Sequence, residues 1–442
     1  MKKSFVLLVI VGLTIVFTIN STVMAAALGD LNDDGGINSS DYILMRRYLL
    51  NMTSDITLEA ARLSDDNDIN SIDYILLRRY LLGVIDSFPG ETNDDEPWKN
   101  NTGTINLGNP ITYTGTGISV TGTTIYVTTG GDHTVTGSLS DGMIYVDTNE
   151  RVKLRLNNVN ITNSDGPAIY GYDTDKLFIT LKEDSTNYLT DGNSYSDEDA
   201  KATLFCNDDL EIKGNGTLNI TANYKHAICS DDDINLENGI INIISAVKDG
   251  VHANGSIDVT GGILNINASD DCLQAEDEEV VIDEGILDLS AGSKVLISDV
   301  GVMINGGTLN ATSANEGIES HTITINGGIV SITSVDDSLN ATAGTGSWDD
   351  DGSQLIINGG SVYVSAQNGD PLDSNGSYTI AGGTVAAHGP QGQPEVGVDC
   401  NGTFTISGGT SVITGTDSFM SQYPTGQSSQ YTIAAMFYQP LS

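Results

Sequence analysis

Asp30, Asn32, Asp34, Asn38 and Asp41 set oxygen-bearing side chains at positions 1, 3, 5, 9 and 12 of one short segment, D-L-N-D-D-G-G-I-N-S-S-D. Gly36 offers its carbonyl at position 7, and Gly35 sits at the sharp turn before it. Oxygen ligands on alternate residues let one tight loop wrap a hard cation, and this EF-hand-like spacing points to calcium. A second segment repeats the pattern incompletely. Counting back from Asp73, it keeps Asp66, Asp68 and Asn70, but Arg62 stands at position 1, Ser64 at position 3 and Asn67 at the turn. Asn tolerates a left-handed backbone. A cation in place of the first carboxylate instead predicts a weak or metal-free second loop.

A longer-range set of acids recurs in one kind of turn. It reads D-G-P-A-I at Asp165, D-G-V-H-A at Asp249, D-C-L-Q-A at Asp271, E-G-I-E-S at Glu316, D-S-L-N-A at Asp337 and D-P-L-D-S at Asp370. Asp270 and Asp336 double the acid in two of these turns, and His252, Gln274, Glu319, Asn340 and Asp373 lie three positions on. Asp249 to Asp271, and Glu316 to Asp337, are each separated by close to one period of the repeat described below. If these turns stack, carboxylates meet at about 5 Å and repel unless a cation lies between them. Asp249, Asp270 and Asp271, and Glu316, Asp336 and Asp337, are the candidate calcium ligands. The competing reading is plain turn chemistry, because turns select Asp and Gly anyway.

Two scaffolds would position these groups. After each loop near the N-terminus comes a helical pattern ending R-R-Y-L-L, with Ile43, Leu44, Tyr48 and Leu49 as the apolar stripe of the first. Farther on, glycine-containing turns end at Gly216, Gly239, Gly262, Gly285, Gly307, Gly328, Gly360, Gly383 and Gly409, at nearly regular intervals. After each turn, alternate residues are apolar or small: Leu218, Ile220, Ala222; Ile241, Ile243, Ser245; Leu264, Ile266, Ala268. A period near 22 with period-2 alternation predicts a right-handed parallel β-helix of roughly 11 or 12 coils, a mainly β solenoid, with residues 104–150 flanking its N-terminal end. The expected organisation is a signal segment over 1–27, a small all-α loop–helix module over 28–83, a polar linker over 84–103 and the solenoid over 104–442. Trp98 reads as a linker or docking residue.

The formal net charge of −41, from 59 acids and 18 bases, excludes nucleic acid and anionic lipid as partners. Lys2 and Lys3, the apolar run Phe5–Phe17 and Ala25–Ala27 read as a secretory signal rather than a membrane span, so the mature chain is expected outside the cell from about Leu28. Four scattered cysteines do not make a disulfide framework. Cys206 and Cys229 are about one period apart and are expected to stack as buried thiols on adjacent coils.

The duplicated loop–helix closely resembles a type I dockerin, the module that plugs a protein into a cohesin on a cellulosome scaffold. The resemblance implies a cohesin-facing surface built from Ser39, Ser40, Arg46 and Arg47, and a duplicate from Ser71, Ile72, Arg78 and Arg79. The phrases Y-T-G-T-G-I-S-V-T-G-T-T-I-Y-V, G-S-L-S-D-G-M-I-Y-V-D and N-Y-K-H-A-I-C-S-D-D-D-I resemble the calcium-containing carbohydrate-binding domain-containing proteins of bacterial cellulose degraders. That family is a parallel β-helix related in fold to pectate lyases and binds cellulose and polygalacturonate. The resemblance implies non-catalytic binding of plant cell-wall polysaccharide. Lys248 and His252 beside the Asp249 turn are candidate sugar contacts, and Trp348, in the insert G-T-G-S-W-D-D-D-G, either stacks on a sugar ring or caps its loop. The rival is a calcium-dependent uronate lyase with Lys294, one coil beyond Asp271, as base. A third reading is a spacer with no glycan site.

Overall fold

Period-2 alternation buries one face of a strand, and short strands that cannot close a core alone must stack. The chain solves this with three parallel sheets wound into about 13 turns. The computed structural model describes residues 27–50, 52–64, 69, 71–81, 88, 97–346, 349–425 and 428–435, in two compact units, 1–93 and 94–442. The signal segment, Asp66, Asp68, Asn70, Trp348 and most of the linker lie outside the described residues. None of the described helices is long and apolar enough to cross a membrane.

In one coil, Thr217–Thr221 belongs to sheet A, His226–Ser230 to sheet C and Ile234–Leu236 to sheet B, and a glycine turn then leads to the next sheet A strand, Ile240–Ala246. Each sheet sends one column of aliphatic side chains inward. In sheet A, Leu218, Ile241, Leu264, Leu287, Leu309, Val330, Val362 and Val385 are in register. In sheet C the column runs Ile144, Ile169, Leu204, Ile228, Val251, Leu273, Leu296, Ile318 and Leu339. All of these are buried in one continuous core. Each contributes about 1.5–3 kcal/mol of apolar burial before entropy is counted. At the turns, glycine is required by close stacking. A Cβ on Gly383, whose φ is +78°, would lie 2.7 Å from the Gly360 carbonyl oxygen one coil below. Beside the turns, Asn305 donates to Asp283 (2.8 Å), Asn326 to Asn305 (2.8 Å) and Asn358 to Asn326 (2.9 Å), an amide ladder along the stack.

Several details depart from the sequence reading. Residues 102–139 are part of the helix proper: Thr102–Leu107, Gly131–Leu139 and Val152–Thr162 are already parallel neighbours. Among the described residues, only 104–106 with 112–114 and 118–121 with 124–127 pair antiparallel. This is why the coils outnumber the 11 or 12 expected. A register shift after Ile243 makes Ala246, not Ser245, the third inward residue of its coil. The four cysteines are free and buried, but Cys206 pairs with Ser230 while Cys229 pairs with Phe205. This single-position offset sends the two thiols to opposite faces, so they form no ladder. Trp98, in the 3₁₀ turn Pro97–Asn100, stacks on Phe178 at 5.7 Å between ring centroids.

In the N-terminal unit, α1 (Ser39–Leu49) and α2 (Ser71–Leu81) are held together by Met45, Leu77, Leu63, Leu31 and Phe88. Tyr42 and Tyr74, which hold equivalent places in the two copies, stack face to face at 4.3 Å. The inward stripe of α1 is Asp41 and Met45 with Tyr42, Leu44 and Leu49 against it. Ile43 is 56% exposed, so its expected place in that stripe is wrong.

Candidate functional sites

The first loop closes on its own donor and acceptor atoms. Asp30 accepts from the backbone N–H of Asp34 (3.0 Å) and Gly35 (2.8 Å), and Asp34 accepts from Gly36 (3.0 Å). Asn38 caps α1 by accepting from Ser40 (2.9 Å), and its amide donates to the Gly36 carbonyl (3.1 Å). Asp41, fully buried at the start of α1, accepts from Leu31 (2.9 Å), Asn32 (3.3 Å) and Asn38 (3.0 Å). Gly35 makes the turn at φ +86°. The donor set is all oxygen, with buried carboxylates at both ends of the loop, and it fits a hard cation such as calcium. In the second loop Asp73, the counterpart of Asp41, keeps the equivalent bonds from Leu63 (2.7 Å) and Ser64 (2.9 Å). Arg62 takes the place of Asp30, and its Nε is buried without a hydrogen-bond partner among the described residues.

On α1, Ser39, Ile43, Arg46 and Leu50 recur at i, i+4, i+7 and i+11, so they share one face. Ser39, Ser40, Arg46 and Arg47 are exposed, and Ile43 and Leu50 beside them are 56% and 59% exposed. On α2, Arg78 and Arg79 are half-buried; Ser71 and Ile72 lie at the helix start. The two faces are therefore unequal.

Along one edge of sheet C the acid turns stack as their spacing predicts. Asp249 accepts from the N–H of Asp271 (3.1 Å), Asp271 from that of Lys294 (2.6 Å), and Asp337 from that of Asp370 (2.6 Å). Each carboxylate thus fastens the corner of the next coil, which accounts for part of its presence by turn chemistry. The remaining oxygens gather in two groups. In the first, Asp249, Asp270 and Asp271 bring one oxygen each within 4.8 Å of one another. His226 and His252 close on the same Asp249 from the other side, at 2.9 Å each. Burial pushes the His226 imidazole below its usual range. Lys248, beside them, is exposed.

The second group joins Glu316, Glu319, Asp336, Asp337, Asn340, Asp370 and Asp373. Glu319, Asn340, Asp373 and Asp399 stand in register on successive coils. Glu316 Oε2 and Asn340 Oδ1 are buried acceptors with no hydrogen-bond partner among the described residues. Burial and the neighbouring acids push Glu316 and Asp337 up to about 7, Asp370 to about 8 and Asp373 to about 9. Orphaned acceptors among mutually repelling carboxylates fit an oxygen-ligated divalent cation, and calcium tolerates such irregular sets. Lys294 lies between the groups: its backbone meets Asp271 and its ammonium approaches Glu319 at 3.7 Å.

One feature of this edge escaped the sequence reading. The outward column that carries His252 and Glu319 begins with aromatics: Tyr126, Tyr145, Tyr170 and Phe205 are in register. Tyr145 stacks on Tyr172 at 5.4 Å, and Tyr172 is 46% exposed beside a groove of about 710 Å³ lined by Asn207, Lys201, Lys225 and Asp231. The signal was the recurring I-Y-V and I-Y-G-Y in strands 124–127, 143–147 and 169–173, visible only once those strands are known to stack.

Comparison with known proteins bears on the two units in turn. The dockerin type I domain profile matches residues 28–82. A curated relative from Acetivibrio thermocellus, described as a carbohydrate-binding domain-containing protein, is 36% identical over 119 residues. The match covers 25% of this chain and 42% of the relative, so the chain spans less than half the length of that protein. A solved structure, described as the polysaccharide lyase-like protein from C. thermocellum, gadolinium derivative, superposes with a TM-score of 0.50 at 28% identity, covering 51% of this chain and 96% of that one. A profile described as carbohydrate-binding domain-containing protein matches residues 121–393, more than half of the sequence, and the chain belongs to that family, carrying a type I dockerin ahead of its β-solenoid.

Proposed function

We propose that this is a secreted cellulosome component that docks to a scaffoldin cohesin through its dockerin and binds plant cell-wall polysaccharide, cellulose or an acidic pectin-like glycan, along the sheet C edge without cleaving it. Calcium, bound in the first dockerin loop and on the acid edge, supports both contacts. The cohesin face is that of α1, where Ser39, Ser40, Arg46 and Arg47 surround exposed Ile43 and Leu50. Half-buried Arg78 and Arg79 and the Arg62 substitution favour α1 over the duplicate.

The observation that carries the glycan reading is a sheet C column that begins with aromatics, of which Tyr126 and Tyr145 are partly exposed, and continues several coils on into a crowd of carboxylates. Tyr126, Tyr145 and Tyr172 suit the apolar faces of sugar rings. An acidic glycan needs positive charge, and few bases lie along this edge: Lys201 pairs with Asp231, Lys294 faces Glu319, and Lys248 is exposed. Bound calcium on Glu316, Asp337, Asn340, Asp370 and Asp373, and on Asp270 and Asp271, would present that charge outward. Pull-down on cellulose and polygalacturonate, with and without chelator, tests the reading. Retention of polygalacturonate undiminished by chelation would reject it.

A second reading has one observation in its favour: Lys294 stands between the two acid groups, as a lyase base near calcium would. Its ammonium faces Glu319, and a proton-abstracting amine would have to leave that ion pair. Unsaturated product that disappears in Lys294→Ala would establish the lyase.

A further inference from the structure

His226 and His252 lie on neighbouring coils of sheet C, their rings 4.4 Å apart between centroids, and both are buried with Asp249 between them. Both Nδ1 atoms lie 2.9 Å from the same oxygen, Asp249 Oδ2. The ordinary explanation would be two N–H groups donating to one carboxylate. A cation can take the place of those two protons. The Asp249 backbone N–H approaches His226 Nδ1 at 3.4 Å, a contact that an unprotonated nitrogen accepts. His252 Nε2 faces the Glu276 carboxylate at 3.3 Å, so a proton placed on Nε2 leaves Nδ1 to ligate. With both Nδ1 protons absent, two nitrogen lone pairs and a carboxylate oxygen face one another within 4.8 Å at a buried point, where a Lewis acid fits.

The chemistry of the donors selects the acid. Calcium takes oxygen ligands, and imidazole suits zinc, copper or nickel. Ligands at zinc bond lengths and a tetrahedral angle lie about 3.3 Å apart, a few tenths of an ångström from the spacing here. A carboxylate on the far nitrogen of a ligating histidine is the usual outer support of such a site, and Glu276 supplies it. We infer that His226, His252 and Asp249 form a binding site for a borderline divalent cation of the zinc class, sharing Asp249 with the adjoining oxygen group of Asp270 and Asp271.

The test uses the full chain, stripped with chelator and then equilibrated with zinc alone in millimolar calcium. Wild type should retain one more equivalent of zinc than His226→Gln/His252→Gln. His321→Gln/His388→Gln, which removes two histidines elsewhere on the solenoid, and Asp270→Asn/Asp271→Asn, which removes oxygen donors beside the site, should both retain it. Cobalt(II) on wild type should give the intense visible bands of a four- or five-coordinate nitrogen-containing site, a readout that needs no variant. Equal zinc retention by wild type and the double-histidine variant, displacement of the zinc by calcium, or only the weak spectrum of all-oxygen six-coordinate cobalt would overturn the assignment.

Discussion

Asp337 offers the sharpest separation of a cation site from a mere turn residue. Its carboxyl is pushed from an ordinary 3.8 to about 7 by burial first and then by Asp336, Glu316 and Glu395, against the opposing hydrogen bond from the Asp370 N–H. Because the folded state holds the proton more tightly than the unfolded chain, stability without cation falls as pH rises from about 4 to about 7 and then levels off. At about 1.4 kcal/mol for each tenfold change in acidity, the ionised group is a burden on the order of 4 kcal/mol, less after relaxation and water entry. Asp337→Asn removes the charge and keeps an oxygen for the Asp370 N–H, which now donates to Asp337 Oδ1. In chelator at pH 8 the variant should therefore be more stable than wild type, by roughly 2–4 kcal/mol. At pH 4 the two should converge. In calcium the gap should close, because wild type gains about 2.7 kcal/mol from a cation at a hundred times its dissociation constant and the variant gains little. Both tryptophans, Trp98 and Trp348, lie within 94–442, so tryptophan fluorescence during urea unfolding of the full chain reports on the solenoid alone. If the variant loses equal stability with and without calcium, Asp337 is only a corner fastener and the cation reading of this edge fails.

Other consequences can be checked directly. Asp30→Ala removes the acceptor for the Asp34 and Gly35 N–H groups and should abolish tight calcium uptake in the first dockerin loop, while Arg62→Ala should change calorimetric calcium binding little; two equally tight sites in wild type would contradict this. Asp270→Ala/Asp271→Ala should weaken polygalacturonate retention severalfold yet leave the circular dichroism spectrum unchanged, since every residue of the inward aliphatic columns is kept. Tyr172→Ala, on an exposed ring, should lower retention on cellulose with no loss of melting temperature; an unchanged affinity would remove the aromatic run from the binding face. Native protein should resist thiol alkylation at all four cysteines, with Cys272 pushed up to about 12 by burial, whereas fast labelling of any one would show an opening the fold does not predict.

The solenoid was legible because its rule is repetitive. Gly239, Gly262 and Gly285 recur at the coil period, and Leu218, Ile241 and Leu264 follow each turn at a fixed offset, so period and inward column could be read together. Offsets within a coil were less legible. The separation of Cys206 from Cys229 looks like one coil, but Ala202 pairs with His226, a step one position longer, and that extra position reverses a side chain. The bulge that replaces Ser245 with Ala246 has the same origin, because local register follows packing rather than average period. Ile43 was misplaced for a different reason. Apolar type alone assigned it inward, although the i+4 relation of Asp41 to Met45 defines the buried stripe, and the buried member Asp41 is an acid. The aromatic run needed partners from coils of irregular length. The step from Tyr126 to Tyr145 is shorter than the coil period and the step from Tyr145 to Tyr170 is longer, so no fixed period exposes it.

The arrangement separates what holds the rod together from what it presents. Stability resides in three inward columns and in amide ladders such as Asp283–Asn305–Asn326–Asn358, none of which requires a cation. The acid edge uses one oxygen of each of several turn carboxylates for coil-to-coil fastening and leaves others unpaired. On the proposed reading, such an edge would have two states of different charge on an unchanged scaffold. Without cation it is a strip of buried acids that repels polyanions; with cation it becomes a row of positive sites spaced by the strand repeat. Affinity for an acidic glycan should then rise with calcium more steeply than with a single-site dependence, because several coils load along one extended chain. A neutral glycan resting on the tyrosines has no such reason to respond. Measured side by side on one preparation, steep calcium dependence for polygalacturonate and a flat response for cellulose would assign the two halves of the edge to different sugars. Equal calcium dependence for both would mean that calcium acts on the fold rather than on the ligand.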